Sequence, residues 1–401
     1  MKSKRVTTTL GSLLSLSNGK SSPERSNDLP YPVYGGNGII GFSDKTNSNS
    51  GTIIIGRVGS YCGSVYFSDG PCWITDNAIR ANATDGNDSR FLYYMLHTLR
   101  LNDFQTGSGQ PLLNQTILSQ ILATIPTPSE QRRIAHILGT LDQKIELNRQ
   151  MNETLEATAR AIFKSWFVKF DPVKAQVEGR KPACVDTETA ALFPPALQDS
   201  RLGEVPEGWK VATIDEVFNL TMGQSPPGST YNEDGEGMPF YQGRKDFGFR
   251  YPTRRVYCTA PKRFAEKADT LVSVRAPVGN INMVKEKCSI GRGVAAIRHK
   301  SGSRSYTYYA MQFLQEVFSR YEAEGTVFGA INKTDFQTLP YLRPPDEIVE
   351  AFERLVHPLD QTIENNENES RTLAQTRDTL LPKLLSGEIH VDAAAEILEG
   401  T

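Results

Sequence analysis

The sequence predicts an α+β chain of two mixed α/β lobes, each followed by a long helix, the two helices pairing antiparallel as a coiled coil within a pseudo-two-fold internal repeat. Three observations predict it. The first is a fixed offset of 218 residues: LDQKIELN (Leu141 to Asn148) returns as LDQTIENN (Leu359 to Asn366), identical at six of eight positions. The same offset pairs Arg57 with Arg275, Arg80 with Arg298, Gly107 with Gly325, Asn114 with Asn332, Thr116 with Thr334 and Pro126 with Pro344. A repeat of that length is a duplicated domain, since solenoid periods run from roughly 20 to 50 residues. The second is a 4-3 apolar spacing sustained for about five heptads behind each lobe. The third is the punctuation of the lobes, whose short β-prone runs are separated by Gly, Asn, Asp and Ser.

Residues 1–128 form the first lobe. GTIIIGRVG (51–59) and GSVYF (63–67) read as strands, and RFLYYMLHTLRL (Arg90 to Leu101) as a helix. Residues 129–168 form the central helix, with Ser129 as N-cap and Glu130 directly behind it. Its stripe is Ile134, Leu138, Leu141, Ile145, Asn148, Asn152, Leu155, Ala159, Ile162 and Trp166, with Phe163 on the same apolar face. Such a helix spans roughly 50–55 Å at about 1.5 Å per residue. Residues 169–208, rich in Pro, Ala and charge, read as an extended, partly ordered crossover. Residues 209–344 form the second lobe, opened by Trp209. It first matches the first lobe at an offset of 204 (Leu16 with Leu220, Gly19 with Gly223, Ser21 with Ser225), so insertions fall between residues 228 and 259. Its helix is YTYYAMQFLQEVFSRY (Tyr306 to Tyr321).

Residues 345–387 form the distal helix, with the stripe Phe352, Val356, Leu359, Ile363, Asn366, Ser370, Leu373, Arg377, Leu380 and Leu384; residues 388–401 are a tail. Polar residues in the middle of both stripes fix partner and register at some cost in stability. Pro358 is expected to kink this helix and Pro382 to bend its last turn. The subunit-interface candidates are Ile134, Leu138, Leu141, Ile145, Leu155, Phe163, Trp166, Phe352, Leu359, Ile363, Leu373 and Leu380. They serve either a helix pair within one chain, which the duplication favours, or an intermolecular coiled coil.

At 401 residues the chain accommodates two to three domains. No apolar run approaches the roughly 18 residues of a membrane span, and MKSKRVTTTLGS does not read as a signal peptide. Cys62, Cys72, Cys184, Cys258 and Cys288 are widely spaced, with no CxxC, and read as reduced cytosolic thiols. The net charge of −2 conceals a strong asymmetry. Residues 244–304 carry 15 basic and 4 acidic side chains, or +11, whereas residues 345–401 carry 4 and 13, or −9. A positive cluster of that size holds phosphates, unless it is merely a solvated surface.

Catalytic signatures are missing. Asn18 to Ser21 resembles the end of a P-loop, but Leu14 stands where its first Gly would be. SerProProGly (225–228) lacks the amide or acid and the aromatic of an amino-methyltransferase motif. The five histidines show no metal spacing. Binding features, by contrast, recur in both lobes. Each has a Gly/Ser/Asn loop before its long helix (106–116 and 325–334) and an Arg–Gly stretch behind a strand (57–63 and 275–280). Each also has an early Gly-Lys/Gln-Ser (19–21 and 223–225) and an aromatic–Gly turn (32–38 and 239–248).

Arg is bidentate to guanine, Asn and Gln to adenine, and glycines let backbone amides approach phosphates. The candidate DNA contacts are therefore Lys20, Asn37, Arg57, Ser60, Tyr61, Ser108, Gln110 and Asn114 in the first lobe. In the second they are Gln224, Ser225, Gln242, Arg244, Lys245, Arg254, Arg255, Arg275, Asn280, Arg292 and Lys333. For any one of them the plain alternative is a tight turn or a core salt bridge; recurrence in both copies favours DNA.

The combination PTPSEQRRIAHILGTLDQKIELNRQ, FKSWFVKFDPVKAQVEGR, LGEVPEGWKV and LLPKLLSGEI, in this order, resembles the specificity subunits of type I restriction–modification systems over the whole chain. The resemblance implies two target recognition domains (1–128 and 209–344), each reading one half of a bipartite site in double-stranded DNA, with the helices setting the unread spacer. It implies two methyltransferase subunits docked on the helices and two restriction/translocase subunits completing a cytoplasmic phage-defence complex. The chain itself would do no chemistry; S-adenosylmethionine, ATP and magnesium would be held by partner subunits. Two positions depart from the repeat: Arg5 stands where Trp209 stands in the second copy, and Pro358 faces Thr140 in the first. The rival readings are a specificity subunit of a methylation-only system, a coiled-coil scaffold that binds proteins alone, and a stand-alone adenine methyltransferase, whose cofactor motifs are missing.

Overall fold

The computed structural model describes residues 5–84, 86–106, 111–183, 185–323 and 329–399. It divides into two compact units, residues 1–148 with 368–401, and residues 149–367. Each unit therefore holds one lobe and part of each of two long helices, Pro128–Lys164 and Asp346–Ser386.

In the first unit the lobe is closed at its base, where Val6–Thr9 pairs antiparallel with Leu122–Ile125. A one-turn helix, Leu10–Leu13, leads into a four-stranded antiparallel sheet. Its order is Leu14–Asn18, Ala78–Ala83, Thr52–Gly56, Val65–Ser68. Thr52–Gly56 is central and wholly buried, as its unbroken apolar run requires. Helix Ser89–Thr98 packs on the sheet, started by Asp88, whose carboxylate accepts the Phe91 amide at 2.8 Å. Ile53, Ile55, Phe91 and Leu118 share one core with Ile134 and Leu138 of the first long helix and Leu380 and Leu384 of the second. Arg377 Nη1 donates to Asp142 at 2.7 Å, and Asn148 Nδ2 donates to Glu369 at 2.7 Å. Numbers rise on one helix as they fall on the other, so the two stretches run antiparallel in this unit.

The second unit repeats the plan. Lys210–Thr213 pairs with Pro340–Arg343, and Ile214–Val217 is the one-turn helix. The sheet runs Phe218–Met222, Val294–His299, Thr270–Ser273, Ile281–Met283. Helix Arg304–Phe313 packs on it, and Phe218, Tyr306, Phe163, Trp166 and Phe352 fill the core. Asn366 Nδ2 donates to Asn152 Oδ1 at 2.9 Å, again between antiparallel stretches. The expected insertions enlarge a second sheet. Tyr31–Gly35, Gly38–Ser43 and Trp73–Ile74 make three strands in the first unit, against five in the second, which include Tyr231–Asn232 and Tyr257–Cys258.

Several expectations are corrected. The helix read over Tyr306–Tyr321 is two, Arg304–Phe313 and Gln315–Ala323. The crossover is more ordered than expected, with helix Asp171–Val177 and a hairpin of Leu197–Ser200 and Gly203–Pro206. The distal helix spans Asp346–Ser386 with Pro358 and Pro382 inside it. Both prolines lie on exposed positions, where the carbonyl left without its N–H partner is open to solvent. None of the twelve subunit-interface candidates is exposed. Leu141 and Leu380 are packed in the first unit, and Phe163, Trp166, Phe352 and Ile363 in the second, so these stripe residues contribute to the chain's own core. Arg5 takes no aromatic role: its Nη2 donates to the Leu384 carbonyl at 3.0 Å, at the end of the distal helix, where a cation suits the helix dipole. Trp209 instead packs on Phe167 and Phe170.

The repeated LDQ carries a role that its apolar periodicity hid. Asp142 accepts from the Tyr94 hydroxyl and from Arg377, and Asp360 accepts from the Tyr309 hydroxyl and from Arg250. Each aspartate ties its lobe's helix to a long helix. Recurrence of an acid beside an apolar stripe was the available signal.

Candidate nucleic-acid interface

In the first unit four loops are stitched together at one end of the central strand. Gly19 N donates to Ala78 O at 3.1 Å, Lys20 N to Ile74 O at 3.0 Å and Asp76 N to Lys20 O at 2.9 Å. Arg57 N donates to Asn77 O at 3.0 Å, Leu113 N to Arg57 O at 2.9 Å and Gly59 N to Pro111 O at 3.1 Å. Gly19 is needed for the close approach, because a Cβ there would lie 2.0 Å from Thr75 O. The edge so built presents Lys20, Asn37, Ser60 and Tyr61 to solvent, with Tyr61 52% exposed. Arg57 is half-buried and its Nη1 donates to Asp76 O at 3.3 Å, so it also braces the loop.

The second unit builds the corresponding edge. Gly223 N donates to Val294 O at 2.9 Å, Gln224 N to Ile290 O at 3.0 Å and Gly291 N to Tyr241 O at 2.8 Å. Val274 N donates to Gly293 O at 2.9 Å, Ile331 N to Val274 O at 3.1 Å, and Arg292 N to Ser225 Oγ at 3.1 Å. A Cβ on Gly223 would lie 2.1 Å from Gly291 O, the counterpart of the Gly19 contact. This brings together Gln224, Ser225, Gln242, Arg275 and Arg292. Arg244 and Lys245 follow Gln242 on a short turn, and Lys333 opens helix Lys333–Thr338 behind Ile331. Arg244, Lys245, Arg275, Arg292 and Lys333 are exposed, and no salt bridge is formed by them among the described residues. Unpaired cations, carboxamides and tightly apposed backbone are the groups that engage phosphates and base edges.

Other candidates are drawn elsewhere. Asn114 caps helix Gln115–Gln120, its side chain accepting the Ile117 amide at 2.9 Å, and Asn332 does the same for Asp335. That cap accounts for their recurrence. Arg254 pairs with Glu286 at 2.6 Å, and Arg255 with Asp246 at 2.9 Å and Glu233 at 3.3 Å, so part of the basic cluster is neutralised internally. Asn280 closes a turn, its amide donating to Ser273 Oγ and its Nδ2 to Pro277 O. Ser108 and Gln110 lie outside the described residues. Cys62, Cys72, Cys258 and Cys288 are buried free thiols, and Cys184 lies outside the described residues.

The constant offset also fails at its arginines. Val58 bridges Leu112 where Arg275 bridges Ala330, so Arg275 matches Val58, and Arg57 matches Val274. Arg80 lies opposite Ser17, whereas Arg298 lies opposite Asn219, two residues before the Thr221 that matches Ser17. A one-residue slip turns a strand side chain to the other face, which explains why Arg57 braces and Arg275 projects.

A family model described as the type I restriction modification DNA specificity domain matches residues 3–157 and again residues 206–375. The chain is 30% identical over 321 residues to a putative type I restriction enzyme specificity subunit, MjaX, of Methanocaldococcus jannaschii, covering 78% of this chain and 71% of that one. It is 26% identical over 354 residues to the type I restriction enzyme HindI specificity subunit of Haemophilus influenzae, covering 75% and 77%. The crystal structure of a type I restriction–modification S subunit from M. genitalium has the same fold, with a TM-score of 0.62 at 20% identity over 95% of this chain and 96% of that one. No helix among the described residues is long and apolar enough to cross a membrane.

Proposed function

The chain belongs to the type I restriction–modification DNA specificity family, and from that premise we propose that each lobe reads one half of a bipartite site in double-stranded DNA. One observation carries this reading: both units gather the same set of loops at the same end of the same four-stranded sheet, with exposed polar and cationic side chains at the edge. The two edges carry different residues, Lys20, Ser60 and Tyr61 against Gln224, Arg275 and Arg292, which suits two unlike half-sites. The long helices, of 37 and 41 residues, act as the ruler that sets the unread gap. At about 1.5 Å per residue they rise roughly 55 and 60 Å, more than one DNA turn of about 34–36 Å. Two modest half-site contacts on a stiff spacer add their free energies with little further ordering cost.

The chain is the non-catalytic recognition subunit in this reading. Two methyltransferase subunits dock on the helices and supply S-adenosylmethionine and the pocket that receives a flipped adenine. Restriction/translocase subunits add ATP- and magnesium-dependent cleavage. The work of this chain's residues is to bind, register and hold the duplex. The test is a methylome: the chain is expressed with its methyltransferase in a host lacking adenine methylation, and modified adenines are mapped by long-read sequencing. Two short half-sites around a fixed gap are expected. No modification, with a soluble methyltransferase bound to the chain, would overturn the reading.

A further inference from the structure

Arg250 lies in the second lobe's insertion, five residues after Lys245, yet it is fully buried. Its loop is pinned to the sheet by Met283 N, which donates to Arg250 O at 2.9 Å, and by Asn282 Nδ2, which donates to Gly248 O at 3.0 Å. From there the guanidinium reaches both long helices. Nη1 donates to Asp360 Oδ1 at 2.7 Å, and Nη2 to Glu156 Oε2 at 3.2 Å and to the Tyr309 hydroxyl at 2.8 Å. Its carbon sits 4.0 Å from the centre of the Tyr308 ring. Asp360 is fully buried and its second oxygen has no hydrogen-bond partner among the described residues, so Arg250 is the cation paired with it inside the unit.

The first unit solves the same problem differently. There Asp142, the counterpart of Asp360, is answered by Arg377 of the distal helix. The offset of 218 places Ala159 at the position of Arg377, and Ala159 is completely buried. In the second unit that helix position is Ala159, and the lobe brings the arginine instead.

We infer that Arg250 is a positioning residue that keys the second lobe to its own helix segments: the lobe is exchangeable only for one that brings a cation to the same place. The inference rests on the reading that this lobe engages a half-site, because the insertion that carries Arg244 and Lys245 to the DNA edge is the one that Arg250 ties to the helices. The orientation of that edge on the ruler, and with it the tolerated gap, then depends on Arg250.

The full chain is assembled with its methyltransferase and given duplexes bearing its own bipartite site, or that site with one base pair added to the gap. Arg250→Met is expected to lower discrimination between the two roughly tenfold or more, the scale on which small misplacements act. Adding Ala159→Arg, which returns the cation to the helix as in the first unit, is expected to restore it. Unchanged discrimination in Arg250→Met, or no restoration by Ala159→Arg, overturns the inference. Should Arg250→Met fail to fold, the double variant decides alone: folding with wild-type discrimination supports the key, and failure to fold overturns it. Rescue of folding is read by thermal melting whether or not the chain directs methylation, so failure of the key and failure of the half-site reading are separate outcomes.

Discussion

Asp142 and Asp360 occupy the same place in two copies of one motif, but burial sets different costs for losing them. Asp360 and Arg250 are completely buried, whereas the Asp142 and Arg377 side chains keep 24% and 29% of their surface in water. A buried ion left without its partner costs about 3–5 kcal/mol, and solvent screening reduces that sharply at the surface. Asp360→Asn is therefore expected to destabilise by about 3 kcal/mol or more, and Asp142→Asn by about 1 kcal/mol. Urea unfolding of the full chain measures both, and equal losses would contradict burial as the deciding variable. The tyrosines add to the asymmetry: burial holds the Tyr309 hydroxyl well above its ordinary range, so it stays a donor to Asp360.

Helices and strands show how far the sequence is legible. The apolar spacing around Leu138 and Leu359 located both long helices because one period persisted for tens of residues. The Gly19 and Gly223 pairing was visible too, and both sit where backbone approaches too closely for a Cβ. Arg57 and Arg275 misled because a strand slip of one residue leaves composition unchanged while exchanging faces. Arg250 was hidden because nothing local marks an insertion arginine as buried. The polar midpoints are testable as a pair: Asn366 donates to Asn152 across the two helices. Asn366→Leu alone strands a buried partner and is expected to cost about 1–3 kcal/mol, whereas Asn152→Leu with Asn366→Leu is expected to be neutral or stabilising in melting. A double variant no better than the single would show that the pair is not the relevant unit. At the end of strand Val294–His299, burial holds the His299 ring down to about 4 from its ordinary 6.5. The unfolded chain takes up a proton in that window that the folded chain refuses. Stability from the neutral ring is thus whole above pH 6.5, falls as pH drops towards 4 and changes no further below, a loss of up to about 3 kcal/mol. Urea midpoints across that range should fall for the wild type and flatten in His299→Gln; parallel curves would refute the assignment.

For the whole molecule, a net charge of −2 sits beside an edge of cations free of salt bridges among the described residues, so the proposed affinity for DNA is a matter of placement rather than of total charge. Each phosphate neutralised contributes about 0.9 to the slope of log affinity against log salt. Arg275 and Arg292 are exposed and free of salt bridges among the described residues, whereas Arg254 and Arg255 are already engaged by Glu286, Asp246 and Glu233. Arg275→Ala and Arg292→Ala should therefore each lower the slope for the assembled methyltransferase complex by about one and leave melting unchanged. Arg254→Ala and Arg255→Ala should leave the slope where it is. Arg57→Ala is intermediate, because its guanidinium braces the Asp76 carbonyl, and it should lower both melting and affinity. Titrations between about 50 and about 200 mM salt read all five variants on one scale. If Arg254→Ala moved the slope as far as Arg275→Ala, the DNA would lie across the ion-paired face of the basic cluster, and the loop edge around Gly291–Gly293 would lose its assignment.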